Sequence, residues 1–371
     1  MGQTLERRAW IRQAAITIGG ISLAPQLWGR EQYDHGFDKP SAVIRLNANE
    51  NPYGPSSLAR KAMADAISSS NMYPWEVTTQ LREKIAAKYG LTKENVVMGA
   101  GSSEILGIMA QYAALKDGNA VTADPTFGIW FTAAQRGGLE LIKVPLTADK
   151  KHDLQRMKEK VTAKTKLVYV CNPNNPTGTV LPTNELRAFI YDVSRDSLVL
   201  LDEAYTEYSD EPSLAAMVKD NPNLVIAKTF SKIYGLAGAR VGYALAHPSM
   251  IAQLTELQPW ANAGPSAVSL AGALATLDDE SFLKMSKAKN KECRDHISNV
   301  FTTLGVKYIP SHTNFMYYSL ANQKSDLLAA LAENNIRGGR ITEENGKWSR
   351  ISIGTKDDMD RFASVVKKSF T

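Results

Sequence analysis

Lys232 and Asp202 supply an amine and a carboxylate in two polar segments of the chain. Lys232 lies in KTFSKIYGLAGAR (residues 228–240), and Asp202 lies in LDEAY (residues 201–205). A lysine amine holds an aldehyde as an imine, and a carboxylate keeps a ring nitrogen protonated so that the ring can take up electrons. A carboxylate about 3 Å from such a cationic nitrogen interacts with it by about 5 kcal/mol before desolvation losses. The two residues therefore predict chemistry on an aldehyde-bearing ring.

Pyridoxal phosphate (PLP) is a cofactor that makes both demands, and it also needs a phosphate site. The turn GAGSS at residues 99–103 joins a strand pattern to a helical one, so its N–H groups could hold a phosphate. The turn could instead begin a dinucleotide site with Asp124 as the ribose-binding acid, but Glu104 occupies the third glycine position. A dehydrogenase interpretation therefore rests on this turn alone.

Other residue types near these segments have simpler interpretations when each is taken singly. Asp202 could cap a helix, Asn175 could belong to a turn, and Arg240 could be a solvated surface cation. Their order and spacing along the chain favour one common site.

The segments between these motifs alternate between short apolar runs and helical patterns. Expected strands cover residues 95–98, 120–123, 139–144, 166–171, 197–201 and 224–227, and expected helices cover 58–68, 78–89, 104–115, 127–135 and 184–193. This alternation predicts an α/β fold with a mostly parallel sheet covered by helices. Ligands of such sheets bind beyond the carboxyl ends of the strands, where Asn175, Asp202 and Lys232 fall.

The length of 371 residues is sufficient for two domains. We expect a large domain at residues 61–265 and a smaller α/β domain at 266–371, with one or two long helices from about residue 265 to 304. Residues 31–60 are expected to form an arm that joins the smaller domain.

Composition excludes some classes of function. The net charge is +5, but residues 1–30 hold four arginines and one glutamate, so the rest of the chain is nearly neutral. This balance gives no electrostatic case for nucleic acid as a partner. Two cysteines and five scattered histidines have no paired metal spacing, so we expect no metal site.

Residues 1–30 differ from the rest of the chain. Arg7 and Arg8 precede an apolar, charge-free stretch at residues 14–24 that is too short to span a bilayer. This pattern resembles a twin-arginine export signal and predicts a periplasmic enzyme without stable membrane insertion. The alternative is an amphipathic first helix packed on the fold of a cytoplasmic protein.

Five segments together resemble the class I/II, fold-type I aminotransferases, closest to the histidinol-phosphate aminotransferase branch. They are LNANENPYG (46–54), YP (73–74), NPNNPTG (172–178), LDEAY (201–205) and the lysine run (228–240). The resemblance extends from about Val43 to the C-terminus. It implies the fold-type I PLP-transferase fold, an amino acid metabolic role and a homodimer.

The resemblance also implies roles for individual residues. Lys232 would form the imine and move the substrate α-proton, and Asp202 would pair with the pyridinium. Further cofactor contacts would come from Asn175 and Tyr205 on the phenolic oxygen, Phe127 on the ring, and Gly101, Ser102, Ser103, Thr229, Ser231, Arg240 and the second subunit's Tyr73 on the phosphate. Arg350, in WSRISIG (348–354), would hold the substrate α-carboxylate beside Asn175. Arg340 is a second candidate, for the other end of the substrate.

The predicted reaction is transfer of an amino group between an amino acid and a 2-oxo acid. The substrate pair stays open, because the chain departs from the histidinol-phosphate pattern around Arg340. A threonine-phosphate-type decarboxylase is an alternative that would use the same lysine and aspartate. A catalytically idle binding protein of the same fold is a second alternative, which the intact Lys232, Asp202 and Arg240 disfavour.

Overall fold

The computed structural model describes residues 43–343 and 346–371, and a seven-stranded sheet is the centre of this part of the chain. In chain order the strands are β1 (Ile44–Arg45), β2 (Val96–Gly99), β3 (Asn119–Asp124), β4 (Glu140–Pro145), β5 (Thr165–Cys171), β6 (Leu198–Asp202), β7 (Leu224–Thr229), β8 (Gly242–Ala246), β9 (Tyr308–Ile309), β10 (Phe315–Ser319), β11 (Ile336–Arg337), β12 (Arg340–Glu343) and β13 (Trp348–Ser352).

Helices connect most of these strands and form the outer layers. In chain order they are α1 (Ser57–Ala66), α2 (Trp75–Lys88), α3 (Ser102–Ala114), α4 (Phe131–Arg136), α5 (Leu154–Lys160), α6 (Thr183–Val193), α7 (Pro248–Glu256), α8 (Ala267–Thr276), α9 (Glu280–Thr303), α10 (Leu327–Glu333) and α11 (Lys356–Phe370). Short 3-10 helices cover Ile67–Ser69, Lys93–Asn95, Thr206–Tyr208 and Ala215–Lys219.

The large sheet has the strand order β2-β8-β7-β6-β5-β3-β4. Strands β3 to β7 pair in parallel, whereas β8 runs antiparallel to both β7 and β2. The expected mostly parallel α/β sheet is thus confirmed. Because its parallel strands end at one edge, Cys171, Asp202 and Thr229 lie together at the carboxyl end of the sheet.

Both faces of this sheet are covered by apolar packing, which explains why its strands are apolar throughout. Successive strand residues point to opposite faces. Accordingly, Val168 and Leu201 belong to one buried cluster, while Leu167 and Leu200 belong to another. Burial on both faces leaves the strand ends as the place where polar side chains can collect.

The C-terminal part has its own sheet and core. Strands β12, β13, β10 and β9 form an antiparallel sheet, and β1 pairs with β11 in parallel. A third buried cluster contains Ile44 and Leu46 together with residues of α9, β10 and α11. Helix α11 begins with a capping box between Thr355 and Asp358, which satisfies N–H groups at its first turn.

Three local features differ from the sequence expectations or refine them. The predicted helix at 127–135 begins only at Phe131, because residues 127–128 have no regular structure and residues 129–130 form a turn. Strand β8 was not predicted, since its short run follows directly on the polar lysine segment. The expected long helical region consists of α8 and α9, separated by the N-cap Asp279. None of the helices within residues 43–343 and 346–371 is long and apolar enough to cross a membrane.

Candidate active site

A cavity of about 330 Å³ opens at the carboxyl ends of the parallel strands. Most residues that the sequence analysis selected line it: Ser102, Ser103, Phe127, Asn175, Asp202, Tyr205, Thr229, Ser231, Lys232, Arg240 and Arg350. The volume lies at the lower end of the range for small-molecule sites. Segments far apart in the chain therefore meet at one concave site of the predicted kind.

Lys232 follows β7 and presents its amine to the arm that precedes α1. Its Nζ lies 3.3 Å from the carbonyl oxygen of Asn49 and 3.4 Å from that of Ala48. Burial and the positive charge of Arg350 lower the pKa of Lys232 to about 8, although Glu50 and Asp202 oppose this shift. A larger fraction of the amine is therefore neutral and nucleophilic near neutral pH than for an ordinary lysine.

Asp202 ends β6 as a carboxylate that is 1% exposed. Its Oδ2 accepts a hydrogen bond from the Tyr169 hydroxyl at 3.0 Å, and its Oδ1 accepts one from the Ala204 N–H at 3.1 Å. Burial raises the pKa of Asp202 to about 6, against the effect of these two bonds. Within the described ranges no lysine or arginine forms an ion pair with Asp202. A cationic ring nitrogen beside it would therefore stabilise the buried carboxylate.

The turn before α3 forms a cradle that suits a phosphate. Arg240 donates from Nη2 to Ser103 Oγ at 2.8 Å and to the Ala100 carbonyl oxygen at 3.3 Å. Gly101 has φ +80°, and a Cβ there would overlap the Arg240 guanidinium, so glycine permits this close approach. The N-terminus of α3, the guanidinium and the hydroxyls of Ser102 and Ser103 thus face one cavity.

Two hydroxyls extend the cradle from the end of β7, at the same edge of the sheet. Thr229 donates to Ser231 Oγ at 2.9 Å, and the Ser231 N–H donates to Thr229 Oγ1 at 3.0 Å. These mutual bonds hold both hydroxyls at the cavity wall, where they can contact a phosphate. The donor set as a whole fits PLP.

Arg350 reaches the cavity from β13. Its Nη1 donates to Asn175 Oδ1 at 2.6 Å, and its Nη2 donates to the Asn47 carbonyl oxygen at 3.0 Å. The guanidinium carbon lies 5.4 Å from the centre of the Phe315 ring. A half-buried guanidinium with a fixed orientation suits bidentate binding of a carboxylate or phosphate.

Tyr205 is held beside this guanidinium by the arm before α1. Its hydroxyl accepts a hydrogen bond from Asn49 Nδ2 at 3.0 Å, and Asn49 is itself tied to Ser352 Oγ through its N–H at 2.8 Å. Burial raises the pKa of Tyr205, so its phenol remains protonated and can donate a hydrogen bond. The arm therefore joins the C-terminal sheet to the wall of the cavity.

Glu50 and Tyr169 are two of the residues at the site that the sequence analysis did not select. Glu50 lines the cavity, and its Oε1 lies 2.6 Å from Arg45 Nη2. Tyr169 orients Asp202 from the adjacent strand β5. Glu50 lies within the LNANENPYG segment that carried the resemblance, and this position was the available signal. Tyr169 gave no local signal, because its contact depends on strand pairing.

Two predicted residues do not line the cavity, and the side chain of a third is not described. Tyr73 is 67% exposed and stacks on Trp75 with ring centres 5.2 Å apart, outside the cavity lining. Gly101 lies behind the cradle rather than in its lining. The backbone of Arg340 pairs with Arg350 across β12 and β13, but its side chain lies outside the described part of the chain.

Comparisons with known proteins agree with this geometry. Residues 41–366 match the family model for aminotransferase class I and II. A histidinol-phosphate aminotransferase of Halalkalibacterium halodurans is 35% identical over 92% of this chain and 95% of its own. One from Brevibacillus brevis is 38% identical over 89% of this chain and 91% of its own.

Solved structures resemble the fold as well. A crystal structure from Erwinia carotovora atroseptica has a TM-score of 0.82 and 31% identity, covering 88% of this chain and 95% of that one. The histidinol-phosphate aminotransferase of Sinorhizobium meliloti, solved with PLP, has a TM-score of 0.79 and 28% identity, covering 88% and 90%.

Proposed function

Because the chain belongs to the aminotransferase class I and II family and is a PLP-dependent transaminase, we propose that histidinol phosphate is its amino donor and a 2-oxo acid its acceptor. One observation carries the choice of donor: the Arg350 guanidinium and the Glu50 carboxylate line the same cavity as Lys232. Histidinol phosphate has an anionic phosphate at one end and an imidazole N–H at the other. The Arg350 guanidinium is complementary to the phosphate, and the Glu50 carboxylate is complementary to the imidazole N–H.

PLP, when bound, accepts the amino group and takes up the electrons left by a broken Cα–H bond. The neutral amine of Lys232 is the group placed to remove a proton from the donor Cα and to return one to the acceptor. The Asp202 carboxylate would keep the ring nitrogen of the cofactor protonated, because a cationic neighbour stabilises a buried anion. Tyr205 and Asn175 line the same cavity and would hydrogen-bond the phenolic oxygen of the cofactor.

Arg350 would serve both halves of the cycle. In one half it binds the phosphate of histidinol phosphate, and in the other it binds the carboxylate of the 2-oxo acid. A guanidinium binds either group through two parallel hydrogen bonds. Glu50 would accept a hydrogen bond from the imidazole N–H of the donor. Its negative charge would repel amino acids with acidic side chains, so the enzyme would select histidinol phosphate over them.

A donor panel tests the proposal. The holoenzyme is mixed with histidinol phosphate, histidinol, histidine, phenylalanine or glutamate, and the change in cofactor absorbance is followed in a single turnover. Histidinol phosphate should react with the largest kcat/KM, at least about tenfold above histidinol, because the phosphate contact is worth at least about 1.4 kcal/mol. A larger value for an amino acid with a free carboxylate and no imidazole contradicts the proposed donor.

Two further measurements test the role of Glu50 and the decarboxylase alternative. Glu50→Gln should lower kcat/KM for histidinol phosphate while leaving the value for phenylalanine within about threefold, because phenylalanine lacks the N–H that Glu50 accepts. Product analysis should find a ketone and no carbon dioxide. Release of carbon dioxide from O-phosphothreonine instead would favour the decarboxylase alternative.

The assembly that we propose is a homodimer in which Tyr73 from a second copy completes each cofactor site. Tyr73, Trp75 and Trp260 form an exposed aromatic group with ring centres 5.0–5.2 Å apart. Exposed aromatic clusters of this kind favour contact with a partner, and a two-fold axis lets each copy contribute equally.

Mixed dimers test this assembly. Tyr73→Phe should weaken PLP binding by about 1.5–3 kcal/mol, the range for a hydrogen bond to a charged group. Mixing Tyr73→Phe with Lys232→Ala under exchange conditions should raise activity above either parent, because one site then carries neither change. No recovery in verified mixed dimers would count against shared sites.

The location that we propose is the periplasm. This proposal depends on Arg7, Arg8 and residues 14–24, which lie outside the described residues. A reporter fused to residues 1–35 should reach the periplasm, and changing both arginines to lysine should block its export. Cytoplasmic retention of the unchanged fusion would contradict the proposal.

A further inference from the structure

His152 is a buried histidine that none of the roles above uses. It lies between β4 and α5 and is 3% exposed. Its Nε2 is 3.1 Å from Asn174 Oδ1, and its Nδ1 is buried without a hydrogen-bond partner among residues 43–343 and 346–371. The contact leads toward the cavity, because Asn174 directly precedes Asn175.

The surrounding hydrogen bonds determine which way the Asn174 amide points. Asn174 Nδ2 lies 3.2 Å from the Pro125 carbonyl oxygen and 2.9 Å from Thr177 Oγ1. A carbonyl oxygen can only accept, so the amide NH₂ must face Pro125. The Asn174 carbonyl oxygen then faces His152.

A chain of hydroxyls leads to the same orientation. Thr179 donates to the Lys150 carbonyl oxygen at 2.9 Å, which uses its only proton. Thr177, 2.8 Å from Thr179, must therefore donate to it and accept from Asn174. Two separate carbonyl oxygens thus give one consistent direction for the whole network.

The tautomer of His152 follows from this direction. Asn174 Oδ1 accepts the Thr126 hydroxyl proton at 2.7 Å and cannot donate. Because this oxygen only accepts, the facing nitrogen of His152 must carry a proton, and the ring is the neutral Nε2–H form with a bare Nδ1. Burial lowers the pKa of His152 to about 4, with the bond to Asn174 opposing that effect, so the ring stays neutral over the working range.

We propose that His152 is a positioning residue for the aminotransferase reaction: its Nε2–H bond to Asn174 holds the two loops that carry Phe127 and Asn175 into the cavity. Thr126 and Asn174, which share the bonded oxygen, directly precede these two cavity residues. Asn175 in turn accepts from Arg350 at 2.6 Å. A shift of Asn174 would therefore move Asn175 in the cavity wall and the Arg350 guanidinium that it contacts. Displacements near 1 Å can lower a reaction rate about 10²-fold.

Paired variants of the holoenzyme test this role. His152→Leu keeps the volume but removes the donor, whereas His152→Gln keeps an N–H at similar reach. His152→Leu should lower kcat about 10-fold to 100-fold and weaken PLP binding, with a changed visible circular dichroism signal of the bound cofactor. His152→Gln should recover kcat and the dichroism to within about threefold of the unchanged protein. His247→Gln, at the exposed start of α7, is the matched control and should leave all readouts unchanged.

A purely structural role would give another result. If His152→Leu lowers only the unfolding temperature, with kcat per bound PLP and the dichroism unchanged, the proposal is wrong. If His152→Leu does not fold, the test is the ¹⁵N NMR spectrum of the unchanged holoenzyme with ¹⁵N-labelled histidine. The signals of His152 are those that disappear in His152→Gln. A protonated Nε2 and a bare Nδ1 support the proposal, while a protonated Nδ1 overturns it.

Discussion

Lys228 and Lys232 belong to the same short segment, yet their amines lie in opposite environments. Lys228 is buried in β7, with Nζ 3.0 Å from both Glu203 Oε2 and Glu207 Oε1. Burial alone would lower the pKa of Lys228, but the carboxylates of Glu207 and Glu203 outweigh it and hold the pKa well above its usual value. Lys232 faces the cavity, where burial and Arg350 lower its pKa to about 8.

The adjacent acids show the same division. Asp202 points into the cavity and is held by neutral donors, whereas Glu203 points away, pairs with Lys228 and also accepts from the Leu214 N–H at 2.9 Å. Strand alternation sends consecutive side chains to opposite faces. Glu203 therefore joins the buried ion pair with Lys228, while Asp202 faces the cavity that Lys232 also lines.

The largest effect should come from Lys232→Ala. Turnover should fall by at least about 10²–10⁴-fold, because the proton-transferring amine is lost. Mass spectrometry after borohydride reduction should find the pyridoxyl group on Lys232 in the unchanged protein and in Lys228→Arg. A pyridoxyl group on Lys228 would show that Lys228, and not Lys232, is the reactive lysine.

Lys228→Met should act on stability rather than on chemistry. Leaving Glu203 and Glu207 buried without their cation should cost about 3–5 kcal/mol in the free energy of unfolding, measured with urea. Because the folded-state pKa of Lys228 is raised, its contribution is fully present below the unfolded pKa near 10.5 and is lost as pH rises through the folded value. Lys228→Arg is the matched control, and a loss below about 1 kcal/mol in Lys228→Met would show that the pair is not structural.

A smaller effect is expected from Tyr169→Phe. The change removes one donor to the Asp202 carboxylate, which should raise its pKa further and weaken its hold on the ring nitrogen by about 1.5–3 kcal/mol. PLP affinity and kcat should both fall, with normal unfolding of the protein without cofactor. Tyr317→Phe, in the other sheet, serves as the control. Equal behaviour of the two variants would remove Tyr169 from the site.

The smallest effect is a shift in a pH profile. Capture of PLP by the cofactor-free protein needs the neutral amine of Lys232, so the rate should rise with pH and level off above about 8. Arg350→Ala removes a cation that lowers this pKa, so the profile should move toward higher pH. Each increase of 1 in pKa lowers the neutral fraction below it about tenfold. An unchanged profile in Arg350→Ala would show that Arg350 does not contribute to the lowered pKa of Lys232.

Much of the site was predictable because its polar residues follow apolar strands directly. Asn175, Asp202 and Lys232 each lie just beyond a strand, and parallel strands end at one edge. Strand β8 was missed because its direction depends on the loop that carries Lys232 back along β7. The late start of α4 at Phe131 was missed for a similar reason, since the segment that holds Phe127 belongs to the cavity rather than to the helix.

The amino-acid sequence by itself determined the alternation of strands and helices and the position of the strand ends, and it led to the hypothesis that Lys232 is the reactive lysine. Periodicity and local motifs carry this information because they act between residues close in the chain. Only the tertiary structure decided that Tyr169 holds Asp202, that Glu50 lines the cavity and that His152 contacts Asn174. These contacts arise from strand pairing and loop packing, whose partners no local pattern specifies, and the same packing determines the charge on each buried group.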